Sequence, residues 1–168
     1  RLVGSEMCIR DRIKLALEDF NSAAQLYPEY APIYNNRGVL LISLEQYKEA
    51  LKDFNRAIFL SPKYAAAYNN RGSLFIKLGQ EGDGLDDFNK AIELGQQSPE
   101  FLNSRGRAYL ALKRPYTAIR DFTHSVAVDS RFSDAYRNRA EAKIMIKAYS
   151  EAIEDYSRAI AFNSKDPS

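Results

Sequence analysis

Residues 67–79 read AYNNRGSLFIKLG. Thirty-four positions upstream the chain reads IYNNRGVLLISLE at residues 33–45. Downstream, the same step gives FLNSRGRAYLALK at 101–113 and then AYRNRAEAKIMIK at 135–147. The intervening segments repeat as well. ALKDFNRAIFLSP at 50–62 matches GLDDFNKAIELGQ at 84–96, AIRDFTHSVAVDS at 118–130 and AIEDYSRAIAFNS at 152–164, with an upstream partner ALEDFNSAAQLYP at 16–28. No insertion or deletion breaks the register. A period of this size marks stacked supersecondary units, and it outranks local propensity in deciding the fold.

Each unit reads as two helices. In the second half of one unit, Leu85, Phe88, Ala91 and Ile92 recur at spacings of three and four, the stripe of a helix rather than the alternation of a strand. Pro28 and Pro62 end second helices, and Pro115 opens one, where a missing N–H is harmless. A helix of about 14 residues is roughly 21 Å long. One such hairpin leaves its apolar face open, so neighbours must stack to make a continuous core.

The pattern of residues resembles the tetratricopeptide repeat. That family places an aromatic, a Gly, an aromatic or Leu, an Ala, a Phe or Tyr, a second Ala and a Pro at fixed offsets. Here Tyr34, Gly38, Leu41, Ala50, Phe54, Ala57 and Pro62 supply them. The next unit has Tyr68, Gly72, Phe75, Gly84, Phe88 and Ala91 without the Pro. The third has Leu102, Gly106, Tyr109, Ala118 and Phe122, with Ser125 for the second Ala. The fourth has Tyr136, Ala152, Tyr156 and Ala159, with Ala140 for the Gly and Lys143 in an apolar slot. The resemblance implies an all-α chain, an α-solenoid of antiparallel helix pairs. Four full repeats are expected at 30–63, 64–97, 98–131 and 132–165, with the second helix of a truncated repeat at 13–29 and a tail at 166–168. The array is expected to be cut at both ends, leaving Ile153, Tyr156 and Ile160 partly uncovered. Gly82 and Gly84, near one helix start, are expected to make the softest junction.

The first twelve residues, RLVGSEMCIRDR, lie outside this pattern. One back-translation of them resembles a transposase adapter from sequencing libraries, so residues 1–12 are read as a translated scar and excluded from the fold. Cys8, the only cysteine, then carries no information on redox compartment.

Composition narrows the functions. Among 168 residues, 27% are charged and 45% hydrophobic, and the mean hydropathy is −0.44. Lys and Arg number 24 against 22 Asp and Glu, a net charge of +2. No field of one sign calls for nucleic acid or anionic lipid. No apolar run is long enough to span a bilayer. One His and one Cys make a zinc site untenable. No cofactor motif occurs, neither a phosphate-cradling Gly-rich loop nor a dinucleotide fingerprint. His124 reads as a surface residue, and Asp86 and Asp87, adjacent on a helix, point to different faces. No catalytic residue is assigned, and the chain is read as a non-enzyme. The sequence names no compartment; an intracellular one is the expectation.

Two polar series remain. Arg37, Arg71, Arg105 and Arg139 run in step with Asp53, Asp87, Asp121 and Asp155, and Asp19 precedes them. Arg stands where the family more often has Leu. Opposite charges repeating in step suggest ion pairs between helices, preferred here over a row of guanidiniums for an acidic partner. The second series is Asn36, Asn70 and Asn138, with Ser104 in the third unit; Asn35, Asn69 and Asn103 precede them, with Arg137 in the fourth. Asn seldom recurs within helices by propensity.

The resemblance implies that first helices line a concave groove, where such Asn side chains hold the backbone of a bound peptide. An amide offers both donor and acceptor for that task. The competing reading is that these Asn are solvated or bind neighbouring helices. Ser73, Arg107 and Glu141 share the expected groove face, as do Lys77, Glu100 and Asp134. The basic clamp by which some family members hold a chaperone's C-terminal carboxylates is absent: Asn35, Val39, Glu100 and Ser104 stand where Lys, Asn, Lys and Arg are required, and only Asn70 fits. The expected partner is therefore a protein or peptide, with no nucleic acid and no membrane. The expected function is an interaction scaffold that grips a peptide. The alternative is the recognition arm of a larger enzyme of glycosyltransferase or phosphatase type.

Overall fold

The computed structural model describes residues 2–95 and 97–163, with residues 2–11 described by their backbone alone. Among them are nine helices and no strand. These are α1 (Leu2–Leu26), α2 (Ala31–Ser43), α3 (Tyr47–Leu60), α4 (Ala65–Lys77), α5 (Glu81–Leu94), α6 (Pro99–Ala111), α7 (Pro115–Val128), α8 (Ser133–Met145) and α9 (Tyr149–Asn163). The tail expected at 166–168 lies outside the described residues.

The helices pair in order, α2 with α3, α4 with α5, α6 with α7 and α8 with α9, and each pair touches only its neighbours. That is the quasi-linear stacking of a solenoid. First helices touch first helices along the array, α2 to α4, α4 to α6 and α6 to α8, whereas no two second helices are in contact among the described residues. The first helices therefore lie on the inner, tighter side of the curve.

The first helices stop alike. Each first helix ends on a left-handed residue: Glu45, Gly79, Lys113 and Lys147, with φ of 59°, 78°, 58° and 63°. That residue and the next close the helix by paired backbone bonds, as in Glu45 N–H to Ile42 O (3.0 Å) and Gln46 N–H to Leu41 O (2.9 Å). Such a cap favours glycine, and only the second of the four has one. Helix α1 breaks the rule. The 34-residue step places the corresponding turn at Asp11, yet α1 runs unbroken through it. Residues 2–12 thus leave the repeat geometry where they leave the repeat sequence, and no helix boundary falls at Ile13.

Small residues set the spacing between helices. A Cβ on Gly38 would lie 2.7 Å from Cε1 of Phe54, and one on Gly106 2.5 Å from Cε1 of Phe122. Gly72 and Gly84 face each other across α4 and α5, each Cβ position about 3 Å from the other's carbonyl oxygen. Into these gaps go Phe54, Phe88 and Phe122, all fully buried beside Ala50, Ala57, Ala91 and Ala118. At the last pair, Ile153 and Ile160 are 66% and 69% exposed, while Tyr156 is half-buried.

Two glycines of one helix behave oppositely. Gly84 is needed for close packing, but a Cβ on Gly82 would meet nothing. Gly82→Ala is expected to raise stability by up to about 1 kcal/mol, and Lys113→Gly by a similar amount through the left-handed cap. Gly106→Ala, pressed against a buried ring, is expected to cost about 1–3 kcal/mol. Urea denaturation followed by circular dichroism measures all three.

Candidate functional site

Each first helix carries one arginine that ties three helices together. Arg37 donates Nε and Nη2 to the two oxygens of Asp53, both at 2.7 Å, and Nη1 to Asn21 Oδ1 at 3.0 Å. Arg71 repeats this with Asp87 at 2.7 and 2.8 Å and Asn55 at 2.6 Å. Arg105 does so with Asp121 (2.7 Å twice) and Asn89 (2.7 Å), and Arg139 with Asp155 (2.8 and 2.6 Å) and Thr123 (3.2 Å). The carboxylate stands 16 residues after the arginine and the third acceptor 16 before it. One guanidinium thus joins the second helix of the preceding pair, its own helix and its own partner. Forked, charge-assisted bonds of this kind are strong and directional. A tyrosine ring three residues earlier covers the guanidinium in three units: Tyr34, Tyr68 and Tyr136 lie 5.5, 5.6 and 5.3 Å from the Arg carbon. The third unit has Leu102 there. Asp19 is exposed, and Val3 stands 16 residues before it.

At Asp155 the cluster gains a second cation. Lys143, the residue out of place in an apolar slot, lies 2.9 Å from Asp155 and 3.3 Å from Glu151. Burial pushes the Asp155 carboxyl up, but Arg139 and Lys143 outweigh it and hold it below the ordinary carboxylate range. The asparagine bound by the other three arginines is Thr123 here, so Lys143 strengthens the one triad with a weaker third partner.

The amides correct the expected groove assignment. Asn35 and Asn103 do not face the groove; they are 4% and 8% exposed and lie in the junctions between repeats. Asn70 Nδ2 donates to Asn35 Oδ1 at 2.9 Å, and Asn138, itself only 5% exposed, donates to Asn103 Oδ1 at 2.9 Å. Asn35 also donates to Asn36 Oδ1 at 3.1 Å. Adjacent helix positions differ by about 100°, so one of each Asn pair points at the next repeat and the other lies closer to the inner face. The middle junction lacks its donor. Ser104 replaces the expected Asn, and the Oδ1 of Asn69 is buried with no hydrogen bond. Arg137, in the Asn35 slot of the last pair, is exposed and bound to Asp134 at 2.8 Å.

A stripe of exposed and half-buried residues on the first helices is spaced by four, three and four residues. On α2 it is Pro32, Asn36, Val39 and Ser43; on α4 it is Ala66, Asn70, Ser73 and Lys77. On α6 it is Glu100, Ser104, Arg107 and Ala111; on α8, Asp134, Glu141 and Met145 are exposed while Asn138 is buried. Of the expected groove residues, Asn36, Ser73, Arg107, Arg137 and Glu141 are exposed, and Asn69, Asn70 and Ser104 are half-buried. His124 is exposed on α7, away from this stripe. The described residues contain no group of three or more His, Cys, Asp or Glu placed to hold a metal ion. No described helix is long and apolar enough to cross a membrane.

Two measurements probe the ladders. Asp155→Ala leaves the buried Arg139 without its carboxylate and Lys143 with the exposed Glu151 alone, and is expected to cost about 3–5 kcal/mol, read as faster amide exchange in α8 and α9. Because the folded carboxyl titrates below its unfolded value, this contribution is intact above about pH 4 and fades as pH falls through the depressed native value. Ser104→Asn returns a donor to Asn69 and is expected to stabilise the middle junction by about 1 kcal/mol, read by denaturation.

Known proteins share both sequence pattern and fold. Three models of the tetratricopeptide repeat match residues 31–64, 65–96 and 103–167. No curated protein matches the chain in sequence. Among solved structures, a thermophilic tetratricopeptide repeat protein of Thermus thermophilus superposes with a TM-score of 0.82 at 18% identity, over 98% of this chain and 90% of that one. PilW, a widely conserved type IV pilus biogenesis factor, also gives 0.82, at 16% identity over 97% and 76%. The Cut9–Hcn1 hetero-tetramer of the APC/C gives 0.80, at 18% identity over 95% of this chain and 32% of that one. The repeated small residues, the paired helices and these matches converge: the chain belongs to the tetratricopeptide repeat family, whose fold is in general that of a protein-interaction scaffold.

Proposed function

We propose that this chain is a non-enzymatic interaction module whose inner first-helix face grips an extended peptide segment of a partner protein. The observation that carries the reading is the partly exposed stripe of mixed polarity, with Asn36 and Asn70 in it, shared by successive first helices on the inside of the curve. Asn70 has given one N–H to Asn35 and keeps a second, together with its Oδ1. Asn36 accepts a bond from Asn35 and keeps both of its own N–H groups. Two amides on neighbouring helices can therefore hold peptide units of any sequence, each bond netting about 0.5–1.5 kcal/mol. Specificity would come from the residues that vary along the stripe, Val39, Ser73, Arg107 and Glu141. Their mixed character suits no C-terminal carboxylate clamp, and Glu100 on the same face would repel one.

A peptide array read beside the double variant Asn36→Ala, Asn70→Ala tests this. Unrelated extended peptides are expected to bind the parent and to bind the variant about tenfold more weakly, with helicity unchanged. Equal binding by a variant of intact helicity sinks the amide reading.

A further inference from the structure

One junction on the inner face is cut away. Between α4 and α6 lies a cleft of about 290 Å³, bordered by Ser73, Ile76 and Phe88 on one side of the junction and by Ser104, Arg107, Ala108 and Ala111 on the other. Its origin is a run of truncations. Ser104, Ala108 and Ala111 occupy the slots that Asn70, Leu74 and Lys77 fill one repeat earlier. The same junction holds Asn69, whose Oδ1 is buried without a donor because position 104 is not Asn. Arg107 is exposed at the edge of the cleft and, unlike the four arginines of the ladder, makes no ion pair among the described residues.

We propose that this cleft is the anchor subsite of the groove. It takes apolar side-chain surface of an extended partner peptide, while an acidic neighbour in that peptide pairs with Arg107. The proposal rests on the groove reading above and adds to it a location and a ligand chemistry. Two features point the same way. The recess is lined by Ile76, Phe88, Ala108 and Ala111 with Ser73 and Ser104 among them, and has room for one or two side chains; such recesses concentrate binding energy. An unpaired guanidinium at the rim favours a carboxylate. The flanking junctions carry the larger Asn70 and Asn138 at the position of Ser104.

The test uses two pools of fluorescent, end-blocked octapeptides, random except for a central Leu-Asp in one and Leu-Lys in the other. Fluorescence anisotropy is measured on the parent, on Arg107→Glu, and on the triple variant Ser104→Asn, Ala108→Leu, Ala111→Lys, which gives the junction the residues of the repeat before. The parent is expected to prefer the Leu-Asp pool. The triple variant is expected to bind it about tenfold or more weakly, and Arg107→Glu to reverse the preference. Arg107 is exposed, so its variant decides the question even if the triple variant folds poorly. No preference between pools, or a preference that both variants retain, overturns the subsite and leaves the groove reading standing. Failure of the parent to bind any peptide, on array or in pool, overturns the groove reading and the subsite with it.

Discussion

The interaction on which the array depends is the three-way arginine clasp. A guanidinium has its donors in a rigid fork, and Arg37, Arg71, Arg105 and Arg139 each spend the fork on an aspartate 16 residues ahead and an acceptor 16 residues behind. Those two separations fix where each second helix must lie relative to the first helix between them. A shift of either helix by one residue would leave a buried carboxylate unpaired, which costs several kcal/mol. Hydrophobic packing alone tolerates sliding better, because alanine and phenylalanine surfaces are only loosely directional. The glycines then follow. Helices held this closely leave no room for a Cβ at Gly38 or Gly106. Where the last pair lacks an Asn at the rear position, Lys143 supplies charge from the front, so the clasp survives a changed partner.

Much of this was legible in the residues. The period and its lack of gaps located the helices, whose starts fall at 31, 65, 99 and 133 and at 47, 81, 115 and 149. The in-step opposite charges marked Arg and Asp as facing groups, because a recurring charge inside a stacked array needs a recurring countercharge. The rear acceptors Asn21, Asn55 and Asn89 were missed, although they recur at the same step. That recurrence was the available signal, hidden because Asn on an exposed helix face is unremarkable by composition. The inner-face Asn pairs were harder. Asn35 and Asn36 are the same residue at adjacent positions, and only the angle between helices tells which one enters the junction. Lys143 read as an anomaly because its partner Asp155 comes from another helix.

The caps mark a different limit. A left-handed helix end is usually announced by glycine, and here three of four such ends carry Glu45, Lys113 and Lys147 instead. The turn is imposed by the docking of the second helix, so tertiary contact overrides the local preference. Residues 2–12 show the converse. With no repeat sequence and no imposed turn, the backbone simply continues α1.

The absent donor at Asn69 bears on how the array yields to force. In a quasi-linear protein each module is held by its nearest neighbours, so resistance is set by the poorest link rather than by the mean. The amide links on either side are closed, Asn70 to Asn35 and Asn138 to Asn103, and the one between them is open. Across that open link the clasp carries the load between side chains, through Arg105 to Asn89 at 2.7 Å.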